Sequence, residues 1–169
     1  VTHLEVVQYE DDPEYLGLES HIADFAGLEY LKVDKTDRTI VLGATNAGID
    51  TLIINGCGEA NVTGMGYLTA LTKLDLRDLT DSFTFTAPDH LPLKEVYLSD
   101  CKGDFVFGTG LPLTSFEAYT VGAITIKGAD LLTELIVYET SGTLNLGSMQ
   151  ALETLMLTST ASKSVIFNY

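Results

Sequence analysis

Lys73, Asp75 and Arg77 stand at alternate positions of one short segment, so in a strand an ammonium, a carboxylate and a guanidinium would project to the same side. A guanidinium offers a two-pronged fork and the carboxylate beside it an acceptor, a pairing suited to a carboxylate-bearing or sugar ligand. The same row also reads as a solvated face, with Lys73 paired to Glu95 and worth under about 1 kcal/mol. A second set is aromatic: Tyr97, Tyr119 and Tyr138, with Ile136 and Met156, rimmed by Glu95, Glu117 and Glu134. Exposed together, these make an apolar patch of the kind that recognition surfaces carry. Tyrosine and isoleucine equally favour strands for their own cross-strand packing.

Signatures of catalysis are thin. Asp75 and Glu117 fall at equivalent positions two repeats apart, roughly 10 Å between backbones at the spacing of neighbouring strands, which is loosely that of an inverting glycosidase. His3, His21 and His90 are too scattered to assemble a triad or a metal set. Gly56-x-Gly58 lacks the strand-to-helix context of a nucleotide loop, and Asp34-x-x-Asp37 is too sparse for calcium. Asn61-Val62-Thr63 is a formal glycosylation sequon, meaningful in a eukaryotic secreted chain. The expectation is a protein that is not an enzyme, without catalytic set, metal or cofactor. Binding falls to Lys73, Asp75, Arg77, Glu95, Tyr97, Glu117, Tyr119, Ile136, Tyr138 and Met156.

What must position these residues is a repeat. The pattern apolar-x-x-apolar-x-apolar returns at intervals of about twenty residues: Leu28/Leu31/Val33, Ile49/Leu52/Ile54, Leu71/Leu74/Leu76, Leu93/Val96/Leu98, Leu113/Phe116/Ala118, Leu132/Leu135/Val137 and Leu152/Leu155/Leu157, with Val1/Leu4/Val6 as an eighth copy. Taking the first apolar residue as position 0, positions 3 and 5 face inward and positions 2, 4 and 6 outward. In most copies a second alternating pair follows near positions 12 and 14: Ile40/Leu42, Phe83/Phe85, Phe105/Phe107 and Leu144/Leu146, with slightly shifted versions at Ala60/Val62, Ile124/Ile126 and Val165/Phe167. No copy can bury its own apolar face, so the copies must stack. The spacing predicts one mainly all-β domain over residues 1–169, a β-solenoid of about eight coils with two short strands each and corners at Gly and Pro. The first coil is longer, and Asp12-Pro13 followed by Tyr15, Leu18, Ile22 and Phe25 predicts one short helix ending at Gly27.

Nine basic against twenty-four acidic residues give a formal charge of −15, which repels nucleic acid and anionic membrane surfaces. No apolar run is long enough to span a bilayer. Cys57 and Cys101 share position 8, as do Thr36, Thr140 and Thr160, so a small inward side chain is expected there. The two cysteines lie two repeats apart, too far for a disulfide. A chain opening on Val1 and closing on the strand-like 164–169 is expected to be a processed piece of a longer protein, or to pair its last edge with a partner, self-association included.

Leu71-Thr72-Lys73-Leu74-Asp75-Leu76 and Leu132-Thr133-Glu134-Leu135-Ile136-Val137 resemble the leucine-rich repeat family, and the likeness runs over nearly the whole chain. The short coils and the Thr- and Gly-rich, Lys-poor composition look like repeat domains of secreted or surface proteins of bacteria. The resemblance implies a right-handed curved solenoid whose first strands form a parallel sheet on the concave side. It implies recognition rather than catalysis, at a cell surface or outside the cell. Asn is absent from position 8 throughout, Phe116/Ala118 replaces the leucines of one copy, and a β-helix sharing the period would show the same pattern. Three functions fit: a non-catalytic module binding a protein, a carbohydrate-binding or carbohydrate-processing solenoid, and a structural spacer or assembly element.

Overall fold

Alternating apolar residues put one side of each segment indoors, and the backbone groups of a segment six or so residues long can be satisfied only by the segment above and below. The computed structural model of the chain describes residues 1–7, 18–36, 38–58, 62–79, 84–158 and 164–167. Strands are numbered along the chain. Eight first strands, β1 (His3–Val7), β2 (Tyr30–Asp34), β4 (Thr51–Gly58), β6 (Lys73–Leu79), β8 (Glu95–Ser99), β10 (Ser115–Val121), β12 (Glu134–Thr140) and β14 (Thr154–Thr158), form one parallel sheet in that order. The second strands β7 (Phe85–Ala87), β9 (Phe105–Phe107), β11 (Ile124–Gly128), β13 (Leu144–Ser148) and β15 (Val165–Phe167) form another, and β3 (Ile40–Val41) pairs with β5 (Val62–Thr63). The result is a mainly all-β solenoid of about six turns.

The register is the predicted one. Position 2 aligns His3, Tyr30, Thr51, Lys73, Glu95, Ser115, Glu134 and Thr154 across all eight strands, and positions 4 and 6 align in the same way. It is held at the strand entry, where the carbonyl at position 1 of one coil accepts from two successive N–H groups of the next: Asp50 O from Thr72 and Lys73, Thr72 O from Lys94 and Glu95, Lys94 O from Thr114 and Ser115. Positions 0, 3 and 5 are buried from Leu28 through Val137. The Phe116/Ala118 exception keeps the interior filled, because the Phe116 ring meets Phe107 of the opposite sheet edge-on at 5.1 Å. In the last coil, Leu155 is 45% exposed, and Val165 and Phe167 are 40% and 44% exposed, since β14 and β15 are the last strands of their sheets.

Several expectations are corrected. The predicted helix is a 3₁₀ segment, Leu18–Asp24, with its proposed start at Asp12-Pro13-Tyr15 outside the described residues, and two further 3₁₀ turns occupy Ala44–Asn46 and Met65–Tyr67. Buried Asn46 ties the first two together: its Oδ1 accepts from Gly43 N at 2.9 Å while its Nδ2 donates to Ile22 O and Phe25 O. In the coil that holds β7, Phe85 is inward as expected and Ala87 continues the inward row, the two aligned with Phe105 and Phe107. Val62 aligns with Ile40 across β3 and β5. Ala60, Asn61, Phe83, Thr160 and the side chain of Cys57 lie outside the described residues. Position 8 does turn inward, but Leu79 and Val121 fill it as completely as Thr36, Cys101 and Thr140, so it does not require a small polar side chain. Among the described residues no helix is long and apolar enough to cross a membrane.

The corner that sequence reading missed is position 7. Lys35, Gly56, Asp78, Asp100, Thr120 and Glu139 all have φ between 52° and 61°, one per coil, although only one is glycine. Left-handed backbone costs an L-residue roughly 1 kcal/mol or more, and most for a β-branched one. Coil-to-coil hydrogen bonds impose it, as in Lys35 N to Asn55 O at 2.9 Å and Asp100 N to Tyr119 O at 2.8 Å. Thr120→Gly is therefore expected to raise stability by up to about 1 kcal/mol, read as a higher urea midpoint at unchanged slope; a lower midpoint would mean that the threonine is not strained. Beside this corner, burial pushes the Cys101 thiol from 9.0 up to about 11. The unfolded chain sheds that proton first, so the stability contribution is intact below pH 9 and falls as the pH rises towards 11. Unfolding titrations should show this alkaline decline, and Cys101→Val, the residue type that fills the same slot at Val121, should flatten it.

Candidate functional site

Because outward residues of successive coils fall in columns about 4.8 Å apart, the face of the long sheet is a lattice on which side chains two residues or one coil apart touch. All ten residues singled out from the sequence lie on it, in β6, β8, β10, β12 and β14. They divide into two halves.

The polar half is built on Asp75. Its carboxylate receives Arg77 through both prongs, Nε to Oδ1 and Nη2 to Oδ2, each at 2.8 Å. Arg77 covers it, so Asp75 is buried at 7% exposure instead of projecting freely, a correction to the expected exposed row. The hydrogen bond to Asp75 holds the Arg77 pKa above its usual value. Lys73 leans away to Glu95 Oε2 at 3.1 Å, the solvated pairing weighed from the sequence. With its Nε/Nη2 edge occupied, Arg77 keeps only its Nη1 end for a ligand, and with both oxygens engaged Asp75 is a poor partner for Glu117 in activating water. A hollow of about 290 Å³ on one side of this pair is lined by Lys32, Asp34 and Asn55, and one of about 340 Å³ on the other by Glu95, Tyr97, Ser115 and Glu117.

The aromatic half begins where the polar one ends. The Arg77 guanidinium lies 4.5 Å from the centroid of the Tyr97 ring. Tyr97 lies 5.6 Å from Tyr119 at a tilt of 38°, and Tyr119 stacks on Tyr138 at 5.1 Å and 11°. The Tyr138 hydroxyl points at Met156 Sδ, and the Tyr119 hydroxyl donates to Glu117 Oε2 at 3.1 Å. Burial, followed by that bond to Glu117, raises the Tyr119 pKa. Arg77, Tyr97, Tyr119, Tyr138 and Met156 thus form one continuous stack across five coils. Its ring faces are turned towards each other, and solvent meets edges and hydroxyls. Ile136 aligns between Glu117 and Met156.

A smaller cluster escaped the sequence reading. The His3 ring stacks on Tyr30 at 4.1 Å, with His3 Nε2 at 3.1 Å from Glu5, while Asp34 receives Lys32 at 3.2 Å and Asn55 Nδ2 at 2.8 Å. The signal was available, since His3 and Tyr30 share position 2 in successive coils as Tyr119 and Tyr138 share position 6. Around it, the Asp34 bond and charge raise the Lys32 pKa.

The two ion pairs should behave differently. Arg77→Met leaves a buried carboxylate without its partner, and with solvent still reaching the site the expected loss is about 1–2 kcal/mol by chemical denaturation. Lys73→Met removes an exposed pair and is expected to cost under about 0.5 kcal/mol. Equal losses would show that the Asp75 carboxylate is not held as described. Against protein-family models, curated proteins and solved structures alike, the chain matches none.

Proposed function

We propose that this chain is a non-catalytic binding module, acting at a cell surface or outside the cell, that presents the long parallel sheet to a protein partner. The observation that carries the reading is the half-exposed stack of Tyr97, Tyr119 and Tyr138, extended by Ile136 and 44%-exposed Met156 on a rigid sheet. A preformed aromatic surface loses little entropy on association, so a few anchors suffice. The extracellular placement rests on the resemblance to surface leucine-rich repeat proteins and on composition.

Carbohydrate recognition by the same tyrosines is the weaker reading on geometric grounds. A sugar stacks on a ring face, and here Arg77 and Tyr119 flank Tyr97 while Tyr119 and Tyr138 cover each other. The assembly reading has its own support in exposed Leu155, Val165, Ile166 and Phe167 on β14 and β15, each the edge strand of its sheet.

The test compares the native chain with a Tyr97→Ser, Tyr119→Ser, Tyr138→Ser variant of verified fold, against cell-surface protein extracts and a glycan panel. Protein capture by the native chain that the variant loses, and that weakens as salt rises, is the expected result. Glycan binding that survives high salt would favour carbohydrate recognition. Concentration-dependent sedimentation identical in both proteins, with no capture, would favour assembly through the edge.

A further inference from the structure

Charge is segregated on the recognition face. The outward cations on the first strands, Lys32, Lys73 and Arg77, are confined to β2 and β6, and each is matched by a carboxylate: Lys32 by Asp34, Lys73 by Glu95, Arg77 by Asp75. From β8 to β14 the outward positions 2, 4 and 6 carry Glu95, Glu117 and Glu134, with tyrosines, Ile136 and Met156, and neither lysine nor arginine. Glu95 is neutralised by Lys73, whereas Glu117, among the described residues, meets a phenol hydroxyl and no cation, and stays a net negative charge beside the stack. Register places Glu134 next to Ser115 and Glu117 next to Ile136, so both carboxylates lie on the strand-entry side of the Tyr119/Tyr138 column on adjoining coils, Glu117 two residues and Glu134 four residues before their tyrosines. The whole chain carries −15, which adds a long-range field of the same sign.

Resting on the protein-binding reading above, we propose that the partner docks a basic segment on this half of the sheet, with lysine or arginine side chains laid across the tyrosine edges. The stack prescribes the geometry. The faces between Tyr97, Tyr119 and Tyr138 are taken up by one another, so an incoming cation cannot enter between these rings; its aliphatic stem lies instead on the Tyr119 and Tyr138 edges and on Ile136 and Met156. The charged head then reaches outward to Glu117 or Glu134, the disposition that long basic side chains adopt on any apolar surface with an acidic rim. An acidic or anionic surface is repelled from the same place. A second copy of this chain docking face to face would set Glu117 and Glu134 against their own kind, which the basic partner avoids.

The experiment uses three synthetic peptides of equal length, threonine alternating with arginine, with glutamine or with glutamate, titrated into the isotopically labelled chain and followed by backbone amide shifts. The arginine peptide is expected to shift amides of β8, β10, β12 and β14 more than any others, and to bind several-fold more weakly at about 300 mM than at about 50 mM salt. Glu117→Gln with Glu134→Gln should weaken it about fivefold or more, while Asp104→Asn, beside the opposite sheet, should not. Shifts spread instead over the acidic corners Asp78, Asp100 and Glu139, or unchanged binding in the double glutamine variant, would overturn the proposal. Binding of the glutamine or glutamate peptide on the tyrosine stack in preference to the arginine one would overturn it too, while leaving the protein-binding reading standing. Arginine-peptide binding on the stack that persists after Tyr119→Ser with Tyr138→Ser would leave charge complementarity intact and count against the aromatic reading.

Discussion

Parallel register between successive coils is the constraint on which everything else in this molecule depends. A shift of one residue in any first strand would turn its positions 3 and 5 outward and bring 2, 4 and 6 into the core. Apolar side chains at the inward positions make that shift prohibitive from β2 to β12, and the doubled acceptors at strand entries such as Asp50 O, Thr72 O and Lys94 O fix the same phase through the backbone. The functional surface is a by-product of the same constraint. Tyr119 meets Tyr138, Lys73 meets Glu95 and His3 meets Tyr30 because each pair shares a column, and no loop has to fold to bring them together.

Most of the architecture was therefore legible. A repeat with known inward positions determines strand order, pairing sense and the columns of the outer face, and the ten residues named from the sequence do lie on one face. What was not legible depended on how side chains share volume or on how the backbone turns. Asp75 occupies an outward position and is nevertheless buried, because the Arg77 side chain is long enough to fold back over it and two strong hydrogen bonds reward that fold. Alternation tells which way Cβ points, and it does not tell where a long side chain such as that of Arg77 ends. The first coil, where the repeat is least regular, was read less well: the segment expected as a helix is 3₁₀ over Leu18–Asp24, and two further 3₁₀ turns follow that no periodicity announced.

The position 7 corner shows a different limit. Composition rules assign left-handed backbone to glycine, and only Gly56 obeys them, while Lys35, Asp78, Asp100, Thr120 and Glu139 take the same conformation. A solenoid overrides local preference because the neighbouring coil supplies a template: once one corner is left-handed, the N–H of the next must point to a carbonyl in the same place. The strain is spread at about 1 kcal/mol per coil, small against the burial of three apolar residues each coil contributes. Propensity loses to lattice, and a single-sequence reading, which sees propensity first, is blind to it.

Recognition and stability compete for the same side chains on such a surface. The tyrosine stack stabilises the sheet through ring contacts between coils, and those contacts use up the faces that a sugar or a cation would otherwise take. What remains for a partner is the row of edges and hydroxyls, together with the carboxylates that the stack leaves in solvent. Rigidity follows from the first fact and selectivity from the second: a surface already packed against itself cannot adapt to a ligand, so it discriminates by shape and by charge. The polar half is closed in the same sense, since its cations are matched by carboxylates of the same or the next coil. Discrimination then falls to the aromatic half, where Glu117 and Glu134 are the charges that a partner meets first.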